Sequence, residues 1–277
     1  MQLRHLLQTH FPEVDRARLP GGFDRVGDIA VVSLTPELAG QAREIGALML
    51  AAHPQLRVVA QRAGDHGGPY RTRPLAVIAG EERLTTVHRE NGVTLHLDLG
   101  QVYFSVRMAH ERARIAALVA PGERVAVLCS GAGPFPLIIA RHSRPHLVVG
   151  IELNPAAHQL AQASLLANRR LRSVRFVEGN AAVVAGELGE QIDRVLVVLP
   201  YGGEALLSAA LDMLNPDGML HFYAMRQHGN NDAVVAVVEQ ACHARGLSLR
   251  QVATVVCGHC GPGVHRVCLD CSVNTTA

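Results

Sequence analysis

The spacing of apolar residues changes character near the middle of this chain. In the N-terminal part, short β-rich runs surround one helical stretch. DIAVVSL (Asp28 to Leu34) reads as a strand. The segment from Pro36 to Pro54 has helical periodicity, with Pro36 suited to a first turn and Pro54 to a stop. LRVVAQR reads as a strand, and LAVIAG, RLTTVHREN and VTLHLDL as further strands separated by the turn signals Gly80 and Asn91-Gly92. Between the strands, the Gly/Pro-rich segment from Ala63 to Pro74 predicts a surface connection.

From Ala109 the pattern alternates. AHERARIAALVAP predicts a helix ended by Pro121-Gly122. RVAVLCSGAGPF then leads into PLIIARH, LVVGIELNP into AAHQLAQASLLANRR, VRFVEGN into a short helix, and DRVLVVLPYGG into EALLSAALDML; MLHFYAM precedes DAVVAVVEQACHARG. This strand–helix rhythm predicts a parallel sheet covered by helices on both faces. LRQVATVVCGHCGPGVHRVCLDCSV reads as two strands around a Gly-Pro-Gly turn, which would give the sheet a mixed edge. The expectation is an α/β protein with a smaller α+β domain over residues 1–108 and a Rossmann-like domain over 109–277.

Composition narrows the class. The chain has 277 residues, enough for one large domain or two modest ones, and 48% are hydrophobic. Aromatics are only 4% and Trp is absent, so the core must be built from Ala, Val, Leu and Ile. No apolar run has the length of a membrane span, and the N-terminus lacks the pattern of a signal peptide; a cytoplasmic protein is expected. All 26 basic residues are Arg, a bias that genome composition explains, and the net charge of +2 does not mark a nucleic-acid binder. NRRLRSVR (Asn168 to Arg175) places four Arg at a helix end, where they could contact RNA phosphates or simply complement the helix dipole.

Candidate chemistry gathers at predicted strand ends. VLCSGAGPF is an apolar strand running into a turn where Gly131 and Gly133 allow a ligand to approach the backbone, although a purely structural turn uses the same residues. The next strand ends in Glu152, about twenty residues on, where an acid accepts hydrogen bonds from both ribose hydroxyls of a nucleoside; a plain surface Glu would look the same. The third ends in Glu178-Gly179-Asn180, and Asn180 could meet the adenine amino group. The fourth ends in Leu199-Pro200-Tyr201. With their neighbours Ser130, Leu153, Asn154 and Ala181, these positions make the predicted cofactor pocket. The absence of G-x-G-x-x-G favours S-adenosylmethionine over a dinucleotide.

FDRVGDIAVV, YRTR, IAGEERLTTVHRENGVTLHLDLGQVYFSVRMAHERARI, GAGPF, IELNP and DRVLVVLP together resemble the archaeal and eukaryotic tRNA guanine-N1 methyltransferases, with which the wybutosine-pathway aminocarboxypropyl transferases share a scaffold. The resemblance covers roughly residues 19 to 273. It implies a class I S-adenosylmethionine-dependent methyltransferase domain acting on tRNA. Glu111 in HERAR matches the family's general base, and Arg71 in YRTR the Arg that steadies charge developing on the guanine oxygen. Tyr103 and Arg112 match residues at the cofactor border; Arg107 and Arg73 match the substrate side. A base is chemically required, because guanine N1 carries a proton, and a fixed guanidinium is worth most where charge develops. Plain readings of the same residues are an ion pair of Glu111 with Arg114 or Arg107, and a solvated loop Arg71.

Three departures stand out. The family's Asn before Leu-Pro is Val198 here, the acid opening the first motif is Val127, and the extra N-terminal domain that grips the outer corner of tRNA is expected to be absent. The alternatives that follow are aminocarboxypropyl transfer from the same cofactor, which GPGVHRVCLD and the lost Asn fit, and methylation of a small molecule. The C-terminal CGHC and CLDC pairs have a zinc-like look. A hairpin turning near Gly261 to Gly263 would set Cys257 roughly opposite Cys268 and Cys271 about 10 Å along the strand. Cys257, Cys260, Cys268 and Cys271 are therefore expected to hold no metal.

Overall fold

A computed structural model describes residues 3–189, 191–227, 231–261 and 263–275. The chain divides into two units, Met1–Glu90 with Thr94–Val106, and Asn91–Val93 with Arg107–Ala277.

The first unit begins with a helix that the hydrophobic pattern is too short to announce, α1 (Leu3–His10). Leu3 and Leu7 share one face of it and enter a core with Phe11, Val32, Ile45 and Met49. Strands β1 (Asp24–Val26) and β2 (Ile29–Val32) form a hairpin. The expected helix from Pro36 divides: Pro36–Gln41 winds as a 3₁₀ segment, and α2 (Ala42–Ala52) follows. That crossover makes β3 (Val58–Arg62) parallel to β2, and β4 (Leu75–Gly80) returns antiparallel. β5 (Thr85–Glu90) and β6 (Val93–Asp98) form a separate two-stranded sheet, turned by Asn91 at φ +45° and Gly92 at φ +73°. The left-handed pair is what a two-residue hairpin turn needs.

The second unit is a seven-stranded sheet. Helix α3 (Ala109–Leu118) precedes β7 (Arg124–Leu128), α4 (Pro134–His142), β8 (Leu147–Glu152), α5 (Pro155–Ala167) and β9 (Val174–Glu178). Then come α6 (Ala181–Glu187), β10 (Ile192–Val197), α7 (Leu207–Met213), β11 (Leu214–Gln227), α8 (Asn231–His243), β12 (Leu247–Gly261) and β13 (Val264–Thr275). The strand order is β12-β13-β11-β10-β7-β8-β9. Five central strands run parallel and β13 antiparallel, the mixed edge expected. Successive strands progress outward from β7 to β9, and β10 then starts the other side. The switch point therefore lies between β7 and β10, where open α/β sheets bind ligands.

Alternation along β11 and β13 separates two environments. Leu220, Phe222, Leu269 and Cys271 join the apolar cluster with Val234 and Val238 of α8. His221, Tyr223, Cys268 and Asp270 point the other way and are also buried. The expected register of the last hairpin is corrected: Val255, not Cys257, pairs with Cys268, because β12 carries irregularities, one of them between Val256 and Gly258. Cys257 is the additional residue there, and its thiol reaches Arg266 O at 3.5 Å.

Candidate cofactor and active site

At the end of β7 the chain turns through Cys129 at φ +59°, Gly131 at φ +58° and Gly133 at φ +83°. Cys129 is a non-glycine residue in the left-handed region, a conformation that costs energy and clusters at functional turns. Burial, with Glu152 nearby, pushes its thiol up to about 12, so it stays protonated. A Cβ at Gly133 would stand 2.5 Å from Phe176 Cζ, so glycine is needed for the close packing of this turn on β9.

Glu152 is drawn into that turn. Gly131 N–H donates to its Oε2 at 2.7 Å and Asn154 N–H to its Oε1 at 2.8 Å. Burial raises the Glu152 carboxyl above its ordinary value, and the backbone hydrogen bonds offset only part of that. Ser130 Oγ is buried beside the same turn and has no hydrogen-bond partner among the described residues. An orphaned buried hydroxyl is uncommon and costs stability unless something meets it.

The remaining predicted cofactor residues separate by role. Asn154 is buried and caps α5, its side chain accepting from Ala156 N–H at 3.0 Å. Asn180 caps α6 the same way, through Ala182 N–H at 3.0 Å, which commits a lone pair of its side-chain oxygen and leaves the amide NH₂ as donor. Ala181 is buried in the first turn of α6, whereas Leu153 is exposed at the end of β8. Val198 N–H donates to Leu128 O, extending the β7–β10 pairing into the Leu199-Pro200 motif. Pro200 O accepts from Met225 N–H, and Tyr201 beyond it is 55% exposed.

Glu111 lies on α3 and is buried, not a surface residue. Arg114 grips both its oxygens, Nε to Oε2 at 2.7 Å and Nη2 to Oε1 at 2.8 Å, and Tyr223 O–H donates to Oε1 at 2.7 Å. The anticipated ion pair with Arg114 is thus present, with Glu111 buried and Arg114 partly buried. Arg114 also reaches Asp270, Nη1 to Oδ2 at 2.5 Å. Burial works against the Arg114 cation, and the two carboxylates outweigh it. Asp270 Oδ1 lies 2.6 Å from His221 Nδ1, and His221 Nε2 lies 2.7 Å from Arg194 Nη1. A guanidinium cannot accept, so Nε2 must, and Nδ1 carries the proton given to Asp270. Arg194 closes the series on Glu123, at 2.7 and 2.9 Å, and on Leu118 O at 2.9 Å.

His221, Cys268 and Asp270 also bring metal-ligand atoms within 4.8 Å of one another. Those atoms already hydrogen-bond among themselves, with Cys268 Sγ 3.2 Å from Asp270 Oδ1, and two guanidiniums adjoin them, an environment that repels a cation. Of the CGHC and CLDC thiols, Cys268 and Cys271 face opposite sides of the sheet and Cys260 is exposed.

Arg112 is buried on α3 and Arg107 is exposed ahead of it. In the first unit, Arg71 is exposed at φ +52° in the surface connection, and Arg73 pairs with Asp65 at 3.6 Å. His66 joins two predicted residues: its Nδ1 lies 3.0 Å from Arg71 O, and its ring meets that of Tyr103 edge-on at 5.1 Å. His66, Tyr223 and His221 carry no motif, and Asp270 sits inside CLDC, where the cysteines drew the reading. The period-2 placement of His221 with Tyr223 and of Cys268 with Asp270, polar positions in apolar strands, was the available signal.

The TRM5/TYW2 methyltransferase domain family matches residues 86–250, and the TYW2 N-terminal domain family matches residues 3–83, starting ahead of the residue-19 limit of the sequence resemblance. The chain is 34% identical over 222 residues to the tRNA (guanine(37)-N(1))-methyltransferase Trm5b of Pyrococcus abyssi, a match covering 80% of this chain and 65% of that relative. The crystal structure of that Trm5b superimposes with a TM-score of 0.84 at 30% identity, covering 94% of this chain and 77% of the other. A complex of aTrm5 with tRNALeu superimposes with a TM-score of 0.87 at 25% identity, covering 99% and 78%. No helix among the described residues is long and apolar enough to cross a membrane. The switch-point turn, the acid that closes on it and the matched span agree: this chain belongs to the TRM5/TYW2 methyltransferase family.

Proposed function

We propose that the protein transfers a methyl group from S-adenosylmethionine to N1 of a guanine in tRNA, working in the cytoplasm. The observation that carries the cofactor assignment is the unpartnered Ser130 Oγ beside Gly131 and Glu152 at the switch point. A ligand with hydroxyls and an amino acid moiety offers such a site the partners it lacks. The backbone N–H groups of Gly131, Asn154 and Leu153 engage the Glu152 carboxylate, whose roughly four lone-pair sites leave room for a ribose hydroxyl. Leu153 offers an apolar surface to a purine. S-adenosylmethionine supplies an electrophilic methyl group on its sulfonium.

Glu111 takes the proton. Three donors occupy three of about four lone-pair sites on its carboxylate, which leaves one, on Oε2, for the guanine N1–H. As the proton passes to Glu111, the N1 pair forms the new C–N bond and the S–C pair stays on sulfur. For Arg71 as the stabiliser of charge on the guanine oxygen, the support is the YRTR resemblance. The exposed Arg169, Arg170, Arg172 and Arg175 offer phosphate contacts.

A second reading, aminocarboxypropyl transfer, is favoured by two observations: Val198 replaces the family Asn, and residues 3–83 match the TYW2 N-terminal domain. Single-turnover reaction with tRNA and saturating cofactor, followed by mass analysis, separates the two. A gain of one methyl supports the first, a gain of an aminocarboxypropyl group the second. Under the first, Glu111→Gln should cut the rate about 10²–10⁴-fold while cofactor affinity holds; an unchanged rate would remove Glu111 from the chemistry.

A further inference from the structure

A carboxylate held by a guanidinium of its own is a weak base, because the adjacent cation favours the ionised form. Glu111 does not have Arg114 to itself. Arg114 Nη1 goes to Asp270 Oδ2, and Nη2 divides between Glu111 Oε1 at 2.8 Å and Asp270 Oδ1 at 3.3 Å. We propose that Asp270 is a positioning residue that sets the proton affinity of Glu111 by taking a share of the Arg114 guanidinium, an inference that rests on Glu111 acting as the base.

The arrangement is built, not incidental. Asp270 and His221 are directly opposed across the β11–β13 ladder, and Tyr223 and Cys268 are the next pair on that face. The His221 ring fixes Asp270 through its Nδ1–H, Arg194 fixes the ring, and Arg194 is anchored to Glu123 and to Leu118 O at the end of α3. The series leaves α3 at Arg114 and returns to α3 at Leu118, so the helix and the sheet hold each other in register. With His221 neutral, it contains three carboxylates, Glu111, Asp270 and Glu123, against the two guanidiniums of Arg114 and Arg194.

The titratable groups near Glu111 come from its own helix and from three strands. Arg114 is on its own helix, with Arg107 and Arg112 close in sequence; Tyr223 is on β11, Cys257 on β12, and Cys268 and Asp270 on β13. Burial pushes the Cys257 thiol up to about 12 and holds Cys268 and Tyr223 well above their ordinary values, so all three stay neutral. Burial would raise the Asp270 carboxyl, but hydrogen bonds from His221 and Arg114 outweigh it and keep Asp270 ionised.

The test is the pH profile of single-turnover transfer to tRNA, read in two variants that leave Glu111 and its direct partners in place. Asp270→Asn returns the whole cation to Glu111, so the acid limb should move to lower pH by about one unit and the plateau rate should fall about tenfold. His221→Leu removes a donor from Asp270, which then leans harder on Arg114, so the limb should move to higher pH. Opposite shifts are not what general loosening produces, and either variant suffices if the other does not fold. A limb unmoved, or moved the same way by both, overturns the proposal. Glu111→Gln keeps the two readings apart: a limb that survives this substitution refutes Glu111 as the base, while a limb lost here but unmoved in the other variants refutes only the role of Asp270.

Discussion

Gly131 donates its backbone N–H to Glu152 Oε2 at 2.7 Å, which ties the turn after β7 to the acid that ends β8. The same carboxyl is raised by burial, so its charged form is the disfavoured one in the folded protein. A raised carboxyl stabilises the fold fully only below its unfolded value, about 4.5, and that contribution is lost as pH rises through the folded value. At pH 7 the protein therefore carries the cost of a buried carboxylate. Glu152→Gln would set an amide NH₂ against one of the two backbone N–H donors, and should weaken S-adenosylmethionine binding about 10–100-fold through loss of charged hydrogen-bond acceptors. Titration calorimetry checks this; unchanged affinity would refute it.

Gly133→Ala should destabilise the protein by about 1–3 kcal/mol. The added methyl meets the Phe176 ring, and φ +83° suits only glycine well. Part of the cost is a contact and part is backbone strain. Phe176→Leu combined with Gly133→Ala should recover the contact part, so the double-mutant cycle should show favourable coupling of at least about 0.5 kcal/mol. Strict additivity in urea titrations would mean that the turn relaxes away from β9.

Asp270→Asn should lose stability at neutral pH by an amount that shrinks in acid. The Asp270 carboxyl is held well below the usual range, so its contribution is present above the unfolded value, about 3.9, and disappears as pH falls through the folded value. Urea midpoints of the two proteins should differ by a constant amount from pH 7 to about pH 4 and draw together only below that, as pH falls toward the folded value. A constant gap from pH 7 to pH 3 would show that the loss is packing and not charge.

Purified protein should contain no stoichiometric zinc. Cys271 reaches Leu220 O on the α8 side of the sheet and Cys268 reaches Asp270 on the α3 side, so the two thiols of CLDC cannot serve one ion. Elemental analysis finding one zinc per chain, lost in Cys257→Ser, would overturn this.

Periodicity and turn chemistry were enough to read the alternating half of the chain. Apolar runs leading to Gly131, Glu152 and Asn180, each followed by a helical stretch, specify a parallel sheet and place these residues at the strand ends where such sheets bind ligands, because both signals are local. The local signals also reached the hairpin turn at Asn91-Gly92 and the break at Pro121-Gly122. They missed α1, whose eight residues are too few for a period to stand out, and the register of β12, because a bulge shifts pairing without changing the alternation on either side of it.

Glu111, Arg114 and the motif around them were likewise present in the sequence. What they do to one another was not. HERAR gives a Glu and an Arg three apart, which on its own predicts an ordinary helix-surface pair. Only tertiary structure buries the Glu111 end of that pair and brings it Asp270 from 156 residues away, with Tyr223 and His221 from a strand between. The physical reason is that hydrophobic pattern records which residues leave water, one neighbourhood at a time, whereas the proton affinity of a buried carboxylate depends on which charges from distant strands end up within hydrogen-bonding reach of it.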